Sequence, residues 1–72
     1  MTADAIRELL NKHPFEPFTL VMSNGERHEV RHPENTIVMP SRLLVADPAT
    51  DRLAILSLFH INEIHVRQPA GS

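Results

Sequence analysis

Six prolines and one Asn-Gly pair divide the 72 residues into a single helix-sized segment followed by short apolar runs. Proline removes a backbone donor, fixes φ and pushes the residue before it out of the helical region, so each proline marks an element boundary. Before Pro14 there is room for one short helix. Thr2 is placed to cap it, Asp4 falls in the first turn where the macrodipole favours negative charge, and Ile6, Leu9 and Leu10 form a narrow apolar stripe at helical spacing. A helix ending near Lys12 is too short to be stable alone and must pack on the rest of the chain.

From Phe18 the period changes to two. Phe18, Leu20 and Met22 alternate with Thr19, Val21 and Ser23, and Asn24-Gly25 supplies a tight turn. A two-residue loop would set Phe18, Leu20 and Met22 opposite Arg31, Glu29 and Arg27, placing three charges on the apolar face. A three-residue loop with Gly25 left-handed as the bulge residue shifts the pairing by one, so that Phe18 meets Val30, Leu20 meets His28, and Thr19 and Val21 face Glu29 and Arg27. The second register separates an apolar face from a polar one and is the one the sequence predicts.

Beyond the turn at His32-Pro33-Glu34-Asn35 the alternation fades into near-continuous apolar runs at 36–39, 43–46 and 53–56, separated by Pro40-Ser41-Arg42 and by a loop carrying Pro48. Strands apolar on both faces are expected to be buried on both, in a barrel, under a helix or against another subunit. Residues 58–60 read as a short turn and 61–66 as a final strand. The expected fold is α+β and mostly β: one N-terminal helix followed by about six short antiparallel strands in a strongly bent sheet or small barrel. Residues 1–67 form the expected single domain and 68–72 a tail.

A chain of this size buries only about 60% of the surface its unfolded form exposes. The absence of cysteine removes disulfide support and excludes thiolate metal sites, cysteine nucleophiles and redox motifs. The first twelve residues have neither the basic start nor the apolar stretch of a signal peptide, and no apolar run is long enough to span a bilayer, so a cytoplasmic protein without a membrane role is expected. The net charge of −2 resides between His13 and Asn35, where Glu16, Glu26, Glu29 and Glu34 face Arg27 and Arg31. The seven Lys and Arg residues are scattered rather than clustered, which disfavours nucleic acid as a partner, although a symmetric ring could bring arginines to one rim.

The series Pro14-Phe15-Glu16-Pro17-Phe18, Asn24-Gly25, Val30-Arg31-His32-Pro33-Glu34 and His60-Ile61 resembles a family of small uncharacterised bacterial proteins with Pro-Phe-x-Pro-Phe and His-Pro-Glu elements. That likeness brings no activity with it. A short N-terminal helix, an Asn-Gly hairpin and His60-Ile61 before the last strand also resemble the Sm-like bacterial RNA chaperones, which implies a small Sm/SH3-like barrel, ring assembly through edge strands and RNA binding. Where the chaperones carry Tyr-Lys-His, this chain has Leu58-Phe59-His60 and keeps only the histidine. The sparse aromatic residues leave little for base stacking.

Four of the five histidines are candidate metal ligands: His28 and His32, four apart near one strand, and His60 and His65 around the last. Residues four apart in a strand are separated by roughly 13 Å, however, so a shared ion needs a bend at His32. The plainer reading has His32 and His60 hydrogen-bonding turn backbones, with His28 at a sheet edge. Candidate contacts for a protein partner or RNA are Phe15, Arg31, His32 and His60. Phe15 has a structural reading as well, filling the space between helix and sheet together with Phe18. Ser23, Ser41 and Ser57 lack a nucleophile elbow, two glycines make no phosphate loop, and Glu29 and Glu63 read as solvated edge residues even if folding approximates them. The sequence therefore points to a non-enzymatic protein-interaction or assembly module without a cofactor, self-associating or bound to another protein. An Sm-like RNA-binding protein and a histidine-based metal-binding protein are the alternatives.

Overall fold

The computed structural model describes residues 2–66. In chain order they form α1 (Ala3–Leu10), β1 (Phe18–Met22), β2 (Arg27–Val30), a 3-10 turn (Pro33–Asn35), β3 (Thr36–Val38), β4 (Arg42–Asp47), β5 (Arg52–Ser57), a second 3-10 turn (Leu58–His60) and β6 (Ile61–Val66). All strand pairs are antiparallel and give two three-stranded sheets, ordered β2-β1-β6 and β3-β4-β5. The mostly-β architecture with one N-terminal helix is thus present, as two small sheets and not as a closed barrel. The tail expected at 68–72 lies outside the described residues.

Local chemistry accounts for the helix. The Thr2 hydroxyl accepts from the Ala5 N–H at 3.3 Å, satisfying one of the amides a helix start leaves open. Asp4 pairs with Arg7 at 3.1 Å across one turn. The helix stops at Leu10, slightly before the expected Lys12, because Asn11 leaves helical geometry while its N–H still reaches the Arg7 carbonyl at 2.9 Å. Of the apolar stripe, Ile6 is fully buried, and Leu9 and Leu10 are half-buried against the core.

The hairpin takes the bulged register. Phe18 pairs with Val30, Thr19 with Glu29, Leu20 with His28 and Val21 with Arg27. Gly25 has φ +89°, its N–H donates to the Met22 carbonyl at 2.9 Å, and the Asn24 side-chain oxygen accepts from the Glu26 N–H at 3.0 Å. The left-handed glycine lets the turn absorb its extra residue, and the consequence is that Phe18, Leu20, Met22 and Val30 all face inward and are buried. On the other side of β1, β6 completes the sheet, from Phe18 opposite Val66 to Met22 opposite Ile61, with a bulge between Val21 and Met22.

The 3-10 turns carry the chain between the sheets. At the first, Asn35 donates its N–H to the His32 carbonyl at 3.1 Å. At the second, the Leu58 N–H extends the β4–β5 ladder to the Ser41 carbonyl at 3.0 Å, while the His60 carbonyl accepts from the Ser23 N–H at 2.7 Å and the Ser23 hydroxyl at 3.0 Å. Leu58 is thereby driven inward, joining Leu43 and Leu56 of the second sheet, Ile61 of β6, Ile6 of the helix and the inward side chains of the hairpin in one core. Phe15 packs on Phe18 with ring centroids 6.1 Å apart and planes inclined by 60°, a tilted aromatic contact. Among the described residues no polar or charged side chain is buried, and no helix is long and apolar enough to cross a membrane.

Of the covers expected for the second sheet, the chain itself supplies one side. The apolar runs at 36–39, 43–46 and 53–56 are covered on a single face: Leu43 and Leu56 are buried and Val38, Val45 and Ala54 pack against the core, while Ile37, Leu53 and Ile55 stand open. The physical reason is supply. An eight-residue helix and one small sheet can cover only the inner side of the second sheet.

Two stability outcomes follow from this packing. Ile6→Ala should lower the unfolding free energy by about 2–5 kcal/mol, because it opens a cavity at a fully buried position. Gly25→Val should cost on the order of 2 kcal/mol, since a β-branched residue is poorly tolerated at this φ even though open space surrounds the new side chain. Asn24→Ala, which loses one exposed hydrogen bond, should cost about 0.5–1 kcal/mol. Urea denaturation of the three variants checks the order; equal effects at positions 24 and 25 would contradict the role assigned to the left-handed glycine.

Candidate interaction surface

Register places the outward side chains of the second sheet in rows. Ile37 of β3, Leu44 of β4 and Ile55 of β5 lie side by side across the sheet. Toward one end Ala46 sits beside Leu53, and toward the other Arg42 sits beside Ser57. Met39 flanks Arg42, its N–H donating to the Arg42 carbonyl at 2.8 Å. Side chains alternate across a strand, so the neighbours of these residues are the ones turned to the core.

The result is an apolar band running diagonally over the sheet from Met39 through Ile37, Leu44 and Ile55 to Leu53. Ile37, Leu53 and Ile55 are 63%, 59% and 61% exposed, and Met39 is 42% exposed. Fully burying one such side chain is worth about 1.5–3 kcal/mol, and each of the three most open keeps more than half of that unrealised. Arg42 is the one charged residue in these rows. Beyond Ser57, Phe59 is 79% exposed on the second 3-10 turn. Single exposed apolar residues are unremarkable, but a contiguous set on one sheet face of a small protein is a candidate interaction surface.

A second feature is an open cleft of about 870 Å³ between β2 and the β4–β5 turn. His28, Arg31 and His32 line one wall and Asp47 and Arg52 the other. Arg31 is exposed, yet its guanidinium grips Glu29 through two contacts, Nε to Oε1 at 2.9 Å and Nη2 to Oε2 at 3.2 Å. That hydrogen bond, then the charge of Glu29 and more weakly that of Asp47, raise the arginine's pKa above its ordinary value and hold it protonated, against a small opposing effect of desolvation.

The remaining sequence candidates are dispersed. His28 lies 3.4 Å from Glu26, the His32 ring 3.9 Å from Glu34, and the His65 ring 2.6 Å from Glu63. Each histidine thus faces a carboxylate two residues away in its own segment. His28 and His32 share the cleft, whereas His60 lies at a smaller one of about 460 Å³ beside Ser23 and Ile55, and His65 stands on β6 opposite Thr19. Among the described residues no three histidine, aspartate or glutamate side chains converge to hold a metal ion. The turn bonding foreseen for His32 and His60 is made by their backbone carbonyls. Glu29 and Glu63 lie on either side of β1, each engaged with a neighbour on its own strand or just beyond it. Phe15 is half-buried on Phe18.

Ile37, Met39, Leu53 and Ile55 were not among the candidates drawn from sequence. The signal for them was present in the surplus of apolar runs over available cover, but a continuous run does not say which alternate positions turn outward. Comparison with protein-family models, with curated proteins and with solved structures gives no match. The geometry therefore bears the functional argument by itself.

One outcome tests the histidines directly. Zinc titrated to a few molar equivalents should leave the melting temperature unchanged, because a ligand that favours the folded state raises it by mass action and scattered imidazoles offer no such site. A saturable rise in calorimetry, abolished by His28→Ala, would overturn this.

Proposed function

We propose that this chain is a non-enzymatic protein-interaction or assembly module, acting in the cytoplasm, whose working surface is the outer face of β3-β4-β5. The observation that carries this reading is the apolar band itself. Three large aliphatic side chains about 60% exposed in adjacent rows of one sheet are a standing cost for an isolated molecule and a source of affinity for a bound one.

The Sm-like RNA-binding reading has less support. Arg27, Arg31 and Arg52 border the cleft, but so do Glu29 and Asp47, and Arg31 is already held by Glu29. A polyanion would have to displace that pair to use it. The metal-binding reading has the least, since the histidines face separate carboxylates. For catalysis, the smaller cleft holds Ser23 with His60, but the Ser23 hydroxyl donates to the His60 carbonyl and not to its ring.

The test compares the wild type with the double variant Leu53→Ser, Ile55→Ser. Both positions are exposed, so unfolding free energy should move by only about 0.5 kcal/mol per site. The folded wild type should bind a hydrophobic dye such as anilinonaphthalene sulfonate, and the variant should lose most of that fluorescence. Folded wild-type protein that binds no dye at any concentration would remove the basis for the interaction surface.

A further inference from the structure

The turn that sets the hairpin register also carries chemistry of its own. Asn24 precedes Gly25, whereas Asn11, Asn35 and Asn62 precede Lys12, Thr36 and Glu63. An asparagine carboxamide can be attacked by the backbone nitrogen of the next residue, and glycine, with no Cβ to restrict the approach, allows this most readily. Hydroxide removes the Gly25 amide proton, the nitrogen bonds to Cγ of Asn24, and the bond from Cγ to the side-chain nitrogen breaks. Ammonia departs with a proton taken from water, which restores the hydroxide and leaves a five-membered imide. One water then opens the ring. Attack at Cγ gives aspartate, whereas attack at the main-chain carbonyl carbon of residue 24 gives isoaspartate, in which the backbone runs through Cβ and Cγ.

In the folded protein each group that this reaction needs is engaged. The Gly25 N–H donates to the Met22 carbonyl at 2.9 Å, so removing its proton breaks a bond of the turn. The Asn24 Oδ1 accepts from the Glu26 N–H at 3.0 Å, which holds the carboxamide toward residue 26. Three-residue loops closed by a left-handed glycine are built on a type I turn, whose second central residue lies near ψ of about 0°, and the imide ring cannot close at that angle. Protection comes from conformation and not from cover: Asn24 and Gly25 are both exposed, and nothing lies within 4 Å of where a side chain at Gly25 would begin.

We propose that Asn24-Gly25 is a conformation-gated modification site: the native turn holds Asn24 unreactive, and in the unfolded chain the same pair converts to isoaspartate, after which the hairpin cannot be rebuilt. Isoaspartate inserts one extra backbone atom into a loop whose closing bonds, from the Gly25 N–H to the Met22 carbonyl and from the Met22 N–H to the Glu26 carbonyl at 2.8 Å, are spaced for three residues. It also consumes the side-chain acceptor of the Glu26 N–H. The register that turns Phe18, Leu20 and Val30 inward is lost with the turn. A reversible unfolding thereby becomes a permanent one.

Peptide mapping by mass spectrometry, after incubation at neutral pH with and without urea, tests this. In urea Asn24 should convert well ahead of Asn11, Asn35 and Asn62, and in the native protein it should convert at least about tenfold more slowly. Equal rates in the two conditions would overturn the gating. Ile6→Ala, which destabilises the core, should speed conversion in native buffer, and should reach the urea rate if it fails to fold. An unchanged rate in that variant, folded but less stable, would overturn the link to unfolding. Once urea is removed, the isoaspartate form should show no cooperative melting, whereas Asn24→Asp, the other hydrolysis product made by mutation, should melt cooperatively. An isoaspartate form that melts as the wild type does would overturn the permanence. Failure of Asn24→Asp to fold would assign the loss to the added charge and overturn the role of the longer backbone.

Discussion

The left-handed Gly25 is the constraint on which the rest of the molecule depends. It fixes the register between β1 and β2, and register decides which half of each strand faces inward. A slip by one residue would keep Phe18, Leu20 and Met22 inward but set Arg31, Glu29 and Arg27 beside them in place of Val30, His28 and Glu26. With that slip three charges would stand on the face that the helix and the second sheet pack upon, and burying them would be costly. A single backbone conformation is thus propagated through the alternation of side chains into the whole inside-outside division.

What the core can cover is limited by length. Its inventory, drawn from one helix, both sheets and one 3-10 turn, satisfies the inner side of β3-β4-β5 and stops there. The two outer faces then differ in chemistry. The first sheet presents Thr19, Val21, Glu29, Glu63 and His65, mostly residues content in water, with Glu63 paired to His65 and Glu29 to Arg31. The second presents aliphatic groups. The difference cannot be attributed to depth, because both faces are outermost layers of the same small body, and it is this asymmetry that gives the functional reading its direction.

The sequence disclosed those features whose causes are local. Thr2 and Asp4 announced the helix start, and Asn24-Gly25 with the charges at 27, 29 and 31 decided the hairpin down to individual partners. Features that depend on distant segments were not legible. Nothing near 61–66 says that this strand lies beside β1, and nothing within an unbroken apolar run such as Leu43, Leu44, Val45, Ala46 distinguishes its covered face from its open one. The candidate histidines could be found by residue type, but their use depends on folding: His32 and His60 serve turns through carbonyl oxygens that any residue would supply, and each ring that meets a carboxylate meets the one two positions along its own chain segment.

The pairing of Phe18 with Val66 has a consequence for how such a unit can be carried. The chain enters the first sheet and leaves it at the same end of two adjacent strands, so the entry and exit points of the β-structure are neighbours. The helix that precedes β1 carries Ile6 of the core, so a host that took up the unit would have to join it at the far end of α1 as well as after Val66. The connection after Val66 would leave from β6 of the first sheet, away from the strands that carry the apolar face.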